Sequence, residues 1–278
     1  MPLFRDDAGC NQTKERRLRE NRWRKPISEK NVLLGDIGAT NARFAVLTEG
    51  RVGPVRTLEV ARFPRFVEAV ALVRNELQGA MNIQAAAVAV AGPVSDGRCV
   101  LTNCSWIIDA RELYDAFHIK ASVVNDFEAA AYSLPLLGPS DLVKIGRGES
   151  AEEAPRVVLG PGTGLGVACL MLRNGRPLVL PSEGGHATFA GANEREDAIL
   201  KYLRGAFGHV SAERVISGDG LENIYKAIVV LDGLSSPQQS AAAITESALK
   251  ADSQSTTEAL AIFCSFLGSF AGNIVLTF

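Results

Sequence analysis

Val32-Leu33-Leu34-Gly35-Asp36-Ile37-Gly38-Ala39-Thr40-Asn41 runs straight into a second strand-like stretch, Ala42 to Leu47. The pair reads as two strands joined by a glycine-rich turn. A turn that wraps a phosphate needs backbone N–H groups pointing inward with no Cβ in the way, so glycine is required at several places. Gly35 and Gly38 supply that backbone, and Thr40 and Asn41 close the motif, the threonine with a hydroxyl that can donate to a phosphate oxygen. Asp36 would sit beside the phosphates, where a carboxylate is repelled unless a cation intervenes. Its presence therefore implies Mg²⁺, held through water.

The same pattern returns later. Val157-Val158-Leu159 leads into Gly160-Pro161-Gly162-Thr163-Gly164-Leu165-Gly166, and Val167 to Leu172 continues as a strand. Gly162, Thr163, Gly164 and Gly166 repeat the glycine-plus-threonine chemistry. Either turn alone reads equally as a tight hairpin. Neither ends in Gly-Lys-Ser/Thr, so neither is a P-loop, and strand rather than helix follows, which excludes a dinucleotide fingerprint. An acid in one turn and threonines in both favour phosphate. Two such strand–turn–strand loops facing each other across a cleft are the plan of actin-like ATPases.

Outward from these turns, Val55 to Val60 reads as a further strand and Phe66 to Leu77 as a helix, with apolar residues at Phe66, Val67, Val70, Val73 and Leu77. Ala85 to Val90 and Ala121 to Val124 are short apolar strands, and a helix is expected from Phe127 to Ser133. Gly138 to Pro155 is richer in Gly, Pro, Ser and charge. A boundary placed at its start gives a small α/β domain over 31–137 and a larger α/β domain over 138–278. The second is mostly helical from Asn193, with helices expected at Glu194 to Phe207, Leu221 to Leu231, Ser240 to Leu249 and Thr256 to Leu276. Residues 1–30 form a basic, apolar-poor arm that is expected to be disordered or a short helix. The arm lacks the apolar centre of a secretory signal, and its acids do not fit a transit peptide.

A second constellation is polar. Asn125-Asp126 ends a strand, Glu183-Gly184-Gly185-His186 lies in a loop, and Glu213 lies within His209-Val210-Ser211-Ala212-Glu213-Arg214. Carboxylates and amides around a sugar can read its hydroxyls, because an unmatched hydroxyl or a buried unpaired carboxylate costs free energy. Asp126 could also accept a hydroxyl proton during phosphoryl transfer. Plainer readings stand beside these. Asn125 or Asp126 could cap a helix, His186 could be a partly buried structural histidine, and Glu213 a surface residue. Spacing alone does not bring the groups together.

Of 278 residues, 47% are hydrophobic and 22% charged, as in ordinary soluble enzymes. A net charge of −2 gives no reason to expect nucleic acid or an anionic membrane as partner. No apolar run reads as long enough to cross a bilayer. The five cysteines are widely spaced without a C-x-x-C, which points to reduced thiols in a cytoplasmic protein.

Taken in order, Gly35 to Asn41, Val124-Asn125-Asp126-Phe127, Leu159 to Gly166, Pro181 to His186 and Ser211 to Gly218 resemble successive motifs of the bacterial glucokinase family, from Asn31 to the C-terminus. The resemblance implies a ribonuclease-H-like, actin/hexokinase-type α/β fold of two domains with a cleft between them. It implies ATP and Mg²⁺, glucose as acceptor, Asp126 as catalytic base and homodimers. It assigns Asn125, Glu183, His186 and Glu213 to the glucose hydroxyls, and the glycine turns to ATP phosphates. No cysteine follows His186 until Cys264, which sets the chain apart from the zinc-containing repressor–kinase relatives. The N-terminal arm and Pro161 depart from the family pattern. The resemblance also implies that a strand, a glycine-rich turn and a final helix follow Phe278, so that this chain is truncated and the second sheet has an open edge.

Two other functions compete with an ATP-dependent hexose kinase. A sugar-binding or regulatory protein would keep the polar cluster and lack nucleotide binding. A chaperone-like ATPase would explain the turns and leave Glu183, His186 and Glu213 unexplained.

Overall fold

The computed structural model describes residues 31–77, 82–101, 104–149, 151, 153–235 and 237–278. The expected N-terminal arm lies outside them. Two compact units divide the chain, the first ending at Ala129 and the second running from Ala130 to Phe278.

In the first unit, β1 (Asn31–Ile37) alternates, with Leu33, Gly35 and Ile37 buried and Asp36 exposed. β2 (Asn41–Thr48) folds back antiparallel, Leu33 opposite Val46 and Ile37 opposite Ala42. β3 (Arg51–Val52) and β4 (Arg56–Glu59) both pair with β2. α1 (Phe66–Leu77) turns Phe66, Val70 and Val73 inward. β5 (Ile83–Val90) then lies parallel to β1, so a helix-containing connection joins parallel neighbours. β6 (Arg98–Val100) and β7 (Ile107–Asp109) form a separate hairpin. α2 (Ala110–Phe117) is capped by Asp109, which accepts the Arg111 N–H at 2.8 Å. β8 (Lys120–Asn125) runs parallel to β5 and delivers α3 (Asp126–Ser133) at its C-terminal end. The sheet order is β3-β2-β1-β5-β8.

This unit's core holds Leu33, Ile37, Phe44, Phe66, Val88, Trp106 and Ile108. The Phe66 ring lies 6.2 Å from Phe44 and 5.6 Å from Trp106, whose indole N–H donates to the Phe63 carbonyl at 2.8 Å. The bond satisfies the one polar atom of a fully buried side chain.

In the second unit, β10 (Leu165–Arg173) is the middle strand of an antiparallel sheet between β9 (Arg156–Pro161) and β11 (Arg176–Ser182). Four helices follow: α4 (Glu194–Phe207), α5 (Gly218–Leu231), α6 (Ala241–Lys250) and α7 (Gln254–Thr277). Asn193, Ser217 and Ser240 cap the first three, each accepting a backbone N–H of its own first turn. Leu165, Val167, Ile199, Ile224, Ile244 and Phe266 meet in one core. Arg195 ties α4 to its neighbours, forking onto Asp232 at 2.8 Å and reaching Glu258 on α7 at 2.7 Å. Buried Glu196 accepts the Ala192 N–H at 2.7 Å and the Ser265 hydroxyl at 2.9 Å.

The expectation that no segment has the length and apolarity of a membrane span is corrected by α7, whose 24 residues meet both criteria. Its sequence hides this, because Ser, Thr, Gly and Asn interrupt the apolar residues. Thr256, Ala259, Ile262, Phe266 and Phe270 form its buried stripe, which places the helix in the second core.

Candidate active site

At the first turn, the Gly38 N–H donates to the Asn41 carbonyl at 3.0 Å, and the Thr40 carbonyl accepts the Val60 N–H at 2.9 Å. Thr40 is exposed and Asn41 half-buried. Gly35 stands outside the turn, inside β1 between Phe44 and Val88 in register. A Cβ there would come 3.3 Å from a Val88 methyl, so this glycine serves close strand packing.

Asp36 projects from β1 directly across from Arg43, whose guanidinium meets it at 3.0 Å. Arg43 is thus one cation beside this carboxylate that the chain itself provides. Asp36 is still more than half exposed. Among the described residues no three His, Cys, Asp or Glu gather at a metal-binding spacing. A single accessible carboxylate nevertheless fits Mg²⁺, which binds through one or two carboxylates plus water and substrate phosphates.

Asn125 and Asp126 sit where β8 becomes α3. Asn125 is the cap: its Oδ1 accepts the Phe127 N–H at 2.9 Å, and its Nδ2 donates to the Gly92 carbonyl at 3.1 Å. Asp126 accepts the Phe127 N–H through Oδ1 at 2.9 Å. Burial pushes its carboxyl above the ordinary carboxylate range and the negative charge of Asp36 adds to the rise, while the Phe127 and Asp126 amides and the Asn125 side chain hold it down. A carboxylate raised in this way accepts a proton more readily.

The second turn belongs to the second unit. The Gly162 N–H donates to the Gly164 carbonyl at 2.8 Å, and the Gly162 carbonyl accepts the Gly218 N–H at 2.9 Å. Gly162 and Thr163 are exposed, while Gly166 lies in β10 opposite Gly160.

Three of the proposed sugar-reading residues come together here. β11 ends at Ser182, and a 3₁₀ turn over Gly184–His186 follows Glu183. His186 Nε2 is 3.6 Å from Glu183 Oε2, and its Nδ1 is 3.9 Å from Glu213 Oε1. These separations exceed direct hydrogen bonds and suit a bridging water or ligand hydroxyl. Glu213 sits in a turn over Ala212–Arg214, and its Oε2 accepts the Leu165 N–H at 2.9 Å. Two backbone features hold the loops together, a bridge between Thr188 and Ser211 and a bond from the Ala212 N–H to the Ala187 carbonyl at 2.9 Å. Thr188 also bonds the His209 ring at 2.9 Å.

The carbonyl of Gly92, which holds Asn125, and the amide of Leu165, which holds Glu213, carry no side-chain signature. Gly92-Pro93 after a strand marks the first only as a turn, and nothing marks the second.

The glucokinase family model matches residues 33–278. The chain is 39% identical over 246 residues to a glucokinase from Nitrobacter hamburgensis, covering 88% of this chain and 77% of the relative. Among solved structures it is similar to a glucokinase from an Antarctic psychrotroph, with a TM-score of 0.80, 35% identity, and coverage of 89% and 79% of the two chains. A glucokinase from Balamuthia mandrillaris in complex with glucose shares the fold at a TM-score of 0.69 and 23% identity, over 96% and 82% of the chains.

Proposed function

This chain belongs to the glucokinase family, and on that footing we propose that it transfers the γ-phosphate of ATP to the 6-hydroxyl of glucose. The observation that carries the reading is the grouping of Glu183, His186 and Glu213 beside the second glycine turn. Carboxylates and an imidazole set slightly too far apart to satisfy one another match a ring of hydroxyls that both donate and accept. In the first unit, Asn125 caps the helix that Asp126 begins, and burial raises the Asp126 carboxyl.

In this reading Asp126 takes the proton of the 6-hydroxyl as the new P–O bond forms, and Asn125 fixes the strand end that presents it. Backbone N–H groups of the turns that follow Gly38 and Gly162, whose own N–H groups close those turns, hold the phosphates together with the Thr40 and Thr163 hydroxyls and stabilise charge on the transferring group. Gly35 and Gly166, being strand residues, shape the turns without touching phosphate. Asp36 would hold Mg²⁺, which neutralises phosphate charge when bound with ATP. The free thiols Cys99, Cys104, Cys169 and Cys264 suit a reducing compartment and support a cytoplasmic setting.

Coupled production of NADPH from glucose, ATP and Mg²⁺ tests the reading, with Asp126→Asn as control. Turnover in the parent and its loss in the variant support it. A parent that binds neither sugar nor nucleotide overturns it.

A further inference from the structure

Leu165 is shared by two features. It is the first residue of β10, so its peptide closes the second glycine turn, and its N–H is held by Glu213 at 2.9 Å. Its carbonyl is covered by Gly185 of the Glu183–His186 loop, so closely that any Cβ at Gly185 would overlap it. A Cβ at Gly164 would crowd Glu213 Oε2, so a side chain there would push the carboxylate from the position in which it holds Leu165. The other Glu213 oxygen faces His186. From the far side, the Gly218 N–H fixes the carbonyl of Gly162, while a Cβ on Gly162 would meet open space.

Resting on the reading of Glu183, His186 and Glu213 as the sugar cluster, we propose that Glu213, Gly164 and Leu165 form a joint that couples sugar occupancy to the shape of the second phosphate turn. Glu213 and Gly164 are its positioning residues. A carboxylate bonds a ligand through one oxygen and the Leu165 amide through the other, so a hydroxyl that draws it moves the peptide closing the turn. The sugar and the nucleotide then bind interdependently, and the coupling is reciprocal. A mere loop staple would affect folding and leave the two affinities independent.

The test is equilibrium binding of glucose and of Mg²⁺ with β,γ-imido ATP, each alone and in the presence of the other. The parent is compared with Gly164→Ala, Glu213→Gln, Glu213→Ala and Gly162→Ala, each checked for folding by its melting temperature. In the parent, each ligand should tighten the other by about fivefold or more. Gly164→Ala, a change in the phosphate turn, should weaken glucose binding by about tenfold or more and abolish the coupling. Gly162→Ala, with room for its methyl, should keep glucose affinity within about twofold. Glu213→Gln retains an oxygen for the Leu165 N–H and should keep nucleotide affinity within about threefold, whereas Glu213→Ala should not. Glucose affinity unchanged in a folded Gly164→Ala, or independent affinities in a parent that phosphorylates glucose, overturns the joint alone. A parent without glucose binding overturns the proposed function and the joint with it.

Discussion

The Asn125 side chain donates to the carbonyl of Gly92 at 3.1 Å while its oxygen caps the helix that Asp126 begins. One amide thus ties the end of β8 to the loop after β5, and the neighbouring carboxylate inherits a fixed position.

Asp126→Asn should lower kcat by roughly 10²- to 10⁴-fold, the range of general-base contributions, with glucose affinity changed only a few-fold. Steady-state kinetics together with direct sugar binding separates the two effects. Loss of affinity with turnover intact would refute the base.

The same substitution should stabilise the protein at neutral pH. A carboxyl whose folded pKa is raised costs stability when ionised. That cost is absent below the unfolded value of about 3.9 and fully present above the folded one. Asn also retains an oxygen for the Phe127 amide. Melting curves should therefore place Asp126→Asn above the parent at pH 7, with the gap closing in acid.

The acid limb of kcat/KM should move with Arg43. Asp36 raises the Asp126 pKa by its charge, and Arg43 lies 3.0 Å from Asp36. Arg43→Gln removes that neutralisation, so the limb should shift to higher pH and activity should fall off earlier on acidification. A limb that stays in place would separate Asp36 from the titration of Asp126.

The fold was legible where side-chain pattern alone decides structure. Phe66–Leu77 and Glu194–Phe207 match the expected helices residue for residue, because apolar spacing in one and capping by Asn193 in the other mark their limits. α2 and the β6–β7 hairpin went unread. Only Leu113 of α2 is buried, and the hairpin strands are three residues each, too short for a periodic signal. The two turns were legible as glycine-rich connections, but the place of Gly35 within a strand depends on Val88, fifty-three residues away. The meeting of His186 with Glu213 likewise depends on backbone pairing between Thr188 and Ser211, which residue types do not announce.

Removing the imidazole in His186→Ala should raise the KM for glucose by about tenfold or more and leave the KM for ATP nearly unchanged. Its ring faces the carboxylates of Glu183 and Glu213. Kinetics with each substrate varied in turn checks this.

Phe266→Ala should cost about 3–5 kcal/mol, the usual range for a buried phenylalanine. Its ring is fully buried and meets Phe189 edge-on at 4.9 Å. Chemical denaturation reads the loss directly.

The bond from Ala212 to Ala187 and the Thr188–Ser211 bridge weld two loops that the chain visits separately. An inserted or deleted residue in either loop would drag the other out of register, so length variation is closed to this part of the molecule. On the proposed assignment of these loops to the sugar, a change of acceptor comes from exchanging side chains on an unchanged backbone. A library seeking new acceptors should vary Glu183, His186 and their neighbours one residue for one, and keep both loop lengths as they are.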